Sequence, residues 1–249
     1  MKDTKDLFSK QSASYASFRP VYPDALFNFL FSITKHFDTA WDCGTGNGQV
    51  ALRLSERFDK VMATDISQSQ LSHAPQKDNI AYELTRAEQT SFADNSFDLI
   101  TVGTALHWFD HAAFNKEVQR VAKNGAHIAA WAYATVRSEP AITAIADEFY
   151  GEIVHGYWDA ERKLVDDEYR TIPFPFKELP APKLEITAQW TKEHFIGYLN
   201  SWSAVQHYVT QNGSNPVDLI MDKLDKNWKD GEYKAIRFPL FMRVGQIVK

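Results

Sequence analysis

The stretch that most constrains this chain is DCGTGNGQ, Asp42 to Gln49, together with the acid that follows at Asp65. Phe37, Ala40 and Trp41 form an apolar patch before it, and Val50, Ala51, Leu52 and Leu54 follow with helical spacing. That order predicts a strand, a glycine turn and a helix, the opening unit of a nucleotide-binding α/β fold. Gly44, Gly46 and Gly48 let the backbone pass close to a ligand where side chains would collide with it. The turn also aims unpaired N–H groups of the new helix at whatever lies there. In a dinucleotide fingerprint, G-x-G-x-x-G, the third glycine counted from Gly44 would stand where this chain has Gln49. The glycine comes one position early, and Asp42 precedes the turn. Both features count against a nicotinamide-dependent oxidoreductase, which stays a rival on the same kind of sheet.

The rest of the first half repeats the alternation. Residues 24–31 carry a helical apolar stripe of Leu26, Phe27, Leu30 and Phe31 after the prolines Pro20 and Pro23. Strands are expected at 37–43, 60–65, 80–85, 95–103 and 126–132, with helices at 48–57, 67–74 and 109–121. Such alternation calls for a doubly wound, mostly parallel sheet with the ligand crevice at the carboxyl ends of its strands. One rim would then collect Gly44 to Gly48, Asp65, Ala87 with Glu88, Thr104 to Trp108, and Trp131 with Ala132. Beyond 132 the spacing predicts a helix at 142–154, an irregular crossing segment at 173–182 and a strand at 184–190. A helix capped by Thr191 and running to about Trp202, a helix at 217–228 and a final strand at 233–248 complete the expectation.

Composition narrows the function classes. The 249 residues are 44% hydrophobic and 24% charged, which suits one α/β domain. The net charge of −5 argues against broad nucleic-acid binding, which needs a basic face. One cysteine gives no disulfide framework, and the eight histidines lack the spacing that sets two ligands on one helix face, so no metal is expected. The polar N-terminus and the lack of a long apolar run point to a cytoplasmic protein. Aromatic residues make up 14% of the chain, including seven Trp, and many follow residue 130. They serve either to pack extra helices on the sheet or to line a small-molecule pocket.

G-x-G-x-G after an acid, with Asp65 at the end of the second strand, resembles class I S-adenosylmethionine (SAM) dependent methyltransferases of the type 11 kind. Residues 86–98, RAEQTSFADNSFD, are similar to the segment in which an Ala-Glu pair meets adenine before the fourth strand. The family has an Asp two places before that Glu, where this chain has Arg86. His107-Trp108-Phe109, the N-terminal Tyr15, Phe18, Arg19, Pro20, Tyr22 and Pro23, and Ser201-Trp202-Ser203 resemble the trans-aconitate methyltransferase branch. The resemblance covers residues 15–132 and is thin afterwards.

It implies a Rossmann-like, seven-stranded sheet with an antiparallel terminal strand and a helical lid insertion. The single domain would comprise a cap at 1–35, a SAM-binding core at 36–133, a lid at 134–232 and a terminal strand at 233–249. The implied cofactor is SAM, with S-adenosylhomocysteine as product. Gly44, Gly46 and Gly48 would form its loop, Asp65 would accept the ribose hydroxyls, and Ala87 and Glu88 would frame adenine. Asp42, Ile66 and Thr104 complete the cofactor set, while Tyr15 and Arg19 would close over the SAM carboxylate. His107, Trp108, Trp131, Trp202 and Tyr208 are the candidate substrate residues. His107 is the catalytic candidate, with general base, orienting donor and simple packing all open. The expected reaction is methyl transfer to a small molecule, at a carboxylate or another oxygen, by a monomer or homodimer. Transfer to nitrogen or carbon, or SAM sensing without turnover, are the alternatives.

Overall fold

The computed structural model describes residues 18–249. Five strands, β1 (Thr39–Cys43), β2 (Lys60–Asp65), β3 (Ile80–Leu84), β4 (Phe97–Gly103) and β5 (Ala122–Tyr133), lie parallel in the order β3-β2-β1-β4-β5. Order reverses between β1 and β4, so the crevice over their carboxyl ends is the switch point where such sheets bind ligands. Every residue of β4 from Phe97 to Val102 is buried, as a strand covered on both faces requires.

Alternation along the strands sorts the core into two layers. Ala40, Leu99, Ala129 and Trp131 face one side with Leu26, Phe27 and Leu30 of α1 (Asp24–Ile33) and Val50 and Leu54 of α2 (Gln49–Leu54). Trp41, Ile100, Ile128 and Ala130 face the other, against Phe114, Val118 and Val121 of α4 (His111–Val121). Helix α3 (Gln68–Ser72) follows β2, with the Ser67 hydroxyl accepting from the Gln70 N–H as its cap.

The last strand, β8 (Lys234–Gln246), pairs antiparallel with β5 from Tyr133↔Leu240 to His127↔Gln246. Its other edge is shared end to end by β6 (Lys177–Leu179) and β7 (Leu184–Trp190). Among the described residues, eight strands therefore fill seven positions, and only β8 runs against the rest. The sheet has one strand more than expected because β6 lies inside the proline-rich 173–182 segment, where Pro173, Pro175 and Pro180 mask a three-residue strand.

The remaining elements are α5 (Pro140–Glu148), α6 (Arg162–Asp166), α7 (Lys192–Asn200), α8 (Ser203–Asn212) and α9 (Met221–Asn227). Three differ from expectation. After Glu148 the helix widens into a π turn at Phe149–Ile153. The helix capped by Thr191 stops at Asn200, and α8 begins afresh after Trp202. The helix expected at 217–228 opens as a 3₁₀ turn at Pro216–Ile220 before α9. The apolar period is the same on both sides of each break, so packing rather than pattern decides where it falls. None of the described helices is long and apolar enough to cross a membrane.

Candidate cofactor cleft and acceptor chamber

The glycine loop bridges β1 and α2 with Gly44, Gly46 and Gly48 all left-handed, at φ +63°, +57° and +80°. Each serves a different purpose. A Cβ on Gly44 would stand 2.6 Å from the Ala105 Cβ, so this glycine lets the loop press against the β4 exit. A Cβ on Gly48 would stand 2.6 Å from the Tyr82 hydroxyl, behind the loop, where Gly48 caps α2. A Cβ on Gly46 would meet nothing closer than the Gln70 Oε1, at 4.0 Å, because Gly46 faces the open cleft.

Asp65 locks this loop from the next strand. Its Oδ2 accepts from the Gly46 N–H at 2.8 Å and its Oδ1 from the Ser67 N–H at 2.9 Å. One carboxylate thus fixes both edges of the cleft, and Ile66 lies beside it in the wall. Asp42 is buried at 1% exposure, accepting from the hydroxyls of Thr45 and Thr101. Burial raises its pKa to about 7, against those two hydrogen bonds, which lower it. Below pH 7 the folded protein therefore binds a proton that the unfolded chain gives up near pH 4, and stability falls as pH rises between these values. We expect Asp42→Asn to be insensitive over that window. Urea unfolding at pH 5 and pH 8 should show the variant gaining on wild type by about 3 kcal/mol, the linkage value of the two pH units between pH 5 and the folded pKa.

After β4 the chain turns at Thr104, a β-branched residue held at φ +56°. Such strain persists only where the surroundings over-determine it. Here its N–H donates to the Trp131 carbonyl at 2.7 Å, and its hydroxyl pairs with the Tyr22 hydroxyl at 2.8 Å. Thr104 stands at the junction of two cavities. The larger, about 170 Å³, is a cleft lined by Asp42, Gly44, Gly46, Asp65, Ile66 and Ala87. The smaller, about 60 Å³ by the same measure, is lined by His107, Tyr150, Trp158, Arg162, Tyr198 and Trp202. Arg19, Thr104, Trp108 and Tyr133 border both.

Arg19 spans the junction, donating from Nη1 to the Tyr133 hydroxyl and from Nη2 to the Ser201 carbonyl, each at 3.0 Å. It ties the end of β5 to the inserted helices. Beside it, Phe18 lies over Gly197 of α7, where a Cβ would come within 2.5 Å of its ring. In the chamber, the His107 Nδ1 pairs with the buried Tyr169 hydroxyl at 3.0 Å. Burial pushes that phenol well above its ordinary pKa, so it keeps its proton and orients the ring.

Most of the sequence-derived candidates meet in these two spaces, and four described ones do not. Trp131 is fully buried, its ring edge-on to Tyr22 beneath the cleft floor. The rim position was right, but strand alternation turns its side chain into the core. Tyr208 pairs with Tyr157, ring centres 4.7 Å apart, and lines neither cavity. Glu88 accepts from the Asp110 N–H at 2.9 Å and pairs with Arg86, away from the cleft lining. Gly48 acts from behind the loop. Tyr15 lies outside the described residues.

The sequence reading missed Gln70, Tyr22, Tyr150, Trp158, Arg162 and Tyr198. Gln70 carries in the cleft wall a buried Oε1 with no hydrogen-bond partner among the described residues. That orphaned acceptor, the open face of Gly46 and the carboxylate of Asp65 suit a nucleoside bearing hydroxyl and amino donors, as SAM does. Among the described residues, no group of three or more His, Cys, Asp or Glu could hold a metal ion.

Comparison with known proteins agrees with this geometry. A family model for a methyltransferase domain matches residues 41–130. A Dictyostelium discoideum protein described as a methyltransferase is 33% identical over 245 residues, 95% of this chain and 93% of that one. A Mycobacterium tuberculosis protein described as an uncharacterized methyltransferase is 29% identical over 90% of this chain and 87% of its own. The solved structure of a protein from Anaeromyxobacter dehalogenans described as a type II methyltransferase superposes with a TM-score of 0.86 at 38% identity. It covers 93% of this chain and 99% of that one.

Proposed function

Since this chain belongs to the methyltransferase family, we propose that it moves the methyl group of SAM onto an oxygen of a small molecule, a carboxylate being the favoured acceptor. The observation that carries this reading is the junction at Thr104, where a cleft suited to an adenosyl cofactor adjoins a smaller aromatic chamber.

Bound SAM supplies a sulfonium methyl that is already electrophilic, so the protein contributes mainly binding, alignment and exclusion of water. The Asp65 carboxylate accepts from the ribose hydroxyls while it holds the Gly46 and Ser67 backbone. Gln70 Oε1 accepts from a further cofactor donor, and Asp42, whose carboxyl ionises near pH 7, lines the cleft toward the cationic end. Arg19 offers its guanidinium to the cofactor carboxylate from the border of both spaces. In the chamber, Trp108 and Trp202 wall in the acceptor, and His107, held through Nδ1 by Tyr169, lines the same space. A carboxylate acceptor is ionised at neutral pH and asks for no base. Alignment in a dry chamber is worth roughly 7–11 kcal/mol when reacting atoms are held in line. The chamber's small volume, about 60 Å³, supports a metabolite as the acceptor.

The test uses SAM labelled in its methyl group, incubated with the protein and a metabolite extract, followed by mild base. Volatile labelled methanol is the expected product, since it reports a methyl ester. Base-stable label would move the acceptor to nitrogen, carbon or an ether oxygen. SAM binding with no label transferred would favour a sensor.

A further inference from the structure

We propose that the chamber holds an oxyanion subsite, formed by the Arg162 guanidinium and the Trp158 indole N–H, that grips a carboxylate or phosphate of the acceptor away from the atom being methylated. This rests on the reading of the adjoining cleft as the cofactor site and names the substrate class of the chamber beside it.

Arg162 opens α6, its side chain only 24% exposed. Its Nε is committed, donating to the Tyr150 hydroxyl at 2.9 Å and to Asp166 Oδ1 at 3.2 Å. Its two terminal nitrogens donate to none of the described residues, so four N–H donors of a fixed planar fork are left at a cavity wall. The same cavity is bordered by Trp158, whose Nε1 is buried and likewise has no hydrogen-bond partner. A buried donor without an acceptor is costly, and native structures keep such groups where something else completes them. A carboxylate or phosphate completes the Trp158 donor and also engages the Arg162 fork at the cavity wall, which matches two oxygens at once.

An aromatic chamber also suits a cationic ligand, but here the ring faces are taken. The Arg162 guanidinium already lies 5.1 Å from the Tyr150 ring centre and 4.9 Å from that of Trp158. Asp159 is the acid in the lining, and it is 4% exposed with Oδ2 3.9 Å from His207 Nδ1. Its carbonyl accepts from the Arg162 N–H at 2.9 Å, which fixes where α6 starts. Asp166, which holds the Arg162 Nε, lies outside the lining, so within the lining Arg19 and Arg162 face Asp159 alone. Arg162 and Trp158 border the chamber and not the cleft, so the gripped group lies beyond Thr104 from the cofactor.

The experiment titrates the full chain by calorimetry with glutarate, inorganic phosphate and neutral glutaramide, with and without S-adenosylhomocysteine. The expected result is that at least one anion binds about tenfold or more tighter than glutaramide, a discrimination typical of charge-assisted bidentate pairing. Which anion binds better distinguishes a carboxylate from a phosphate source. Arg162→Met should weaken that binding at least about tenfold, and Trp158→Phe, which keeps a ring, about threefold. S-adenosylhomocysteine affinity should stay within about twofold in both variants, since neither residue borders the cleft. Equal binding of glutaramide, variants that bind the anion like wild type, or no anion binding at all would overturn the subsite. Failure of wild type to bind S-adenosylhomocysteine, with anion binding intact, would instead sink the cofactor reading and leave the subsite standing.

Discussion

Gly46→Ala should abolish cofactor binding while leaving the protein folded, and Gly44→Ala should unfold it. Both glycines are left-handed, so an Ala at either position carries roughly 1–2 kcal/mol of backbone strain. At Gly46 that is nearly the whole structural cost, because the added methyl finds no atom nearer than 4.0 Å. The methyl instead enters the space where the cofactor backbone would pass, and affinity should drop by about a hundredfold or more, some 3 kcal/mol. At Gly44 the methyl meets the Ala105 Cβ at 2.6 Å, and neither atom is a flexible chain end. Overpacking of about 1–3 kcal/mol then adds to the strain, a loss comparable with much of a domain's net stability. Thermal unfolding and S-adenosylhomocysteine titration of both variants check the pair. Equal loss of stability in the two would contradict the distinct roles given to them.

The second large effect is expected at Asp65. Its carboxylate accepts from two backbone N–H groups, those of Gly46 and Ser67, and these bonds shape both edges of the cleft. Hydrogen bonds to charged groups are worth about 1.5–3 kcal/mol each. Asp65→Ala removes both and also the acceptor for the ribose, so cofactor affinity should fall by about a thousandfold with a lower melting temperature. Asp65→Asn keeps one oxygen and the side-chain shape, and should recover part of the loss. An Asp65→Ala protein that bound S-adenosylhomocysteine normally would show that the ribose lies elsewhere.

What was legible in the sequence is what the backbone writes locally. The glycine turn, Asp65 at the end of β2 and the Thr191 cap each depend on residues a few positions apart, and all three are found where the spacing put them. The parallel order followed because buried strands alternating with helices leave few other arrangements. Trp131 shows where this stops. Its place on the rim was readable, but the parity that buries it depends on which face of β5 meets α1 and Tyr22. The chamber was largely hidden for the same reason. Arg162 sits in the charged run Asp159-Ala160-Glu161-Arg162-Lys163, which on its own suggests a solvated surface, and only the packing of α6 against Trp158 and Tyr150 brings it inward. Gln70 carries no local signal at all, because its role comes from a β2–α3 turn that Asp65 and Ser67 fix together. The Asn200–Ser203 break between α7 and α8 likewise reflects Arg19 reaching the Ser201 carbonyl from 182 positions away.

The most direct test of the central claim is a calorimetric titration of the wild-type protein with S-adenosylhomocysteine and, separately, with NAD, each repeated on Gly46→Ala. One-to-one binding of S-adenosylhomocysteine that disappears in Gly46→Ala, with no binding of NAD, is the expected result. Binding of NAD with none of S-adenosylhomocysteine would contradict it, and would return the cleft to the dinucleotide enzymes that Gln49 argues against.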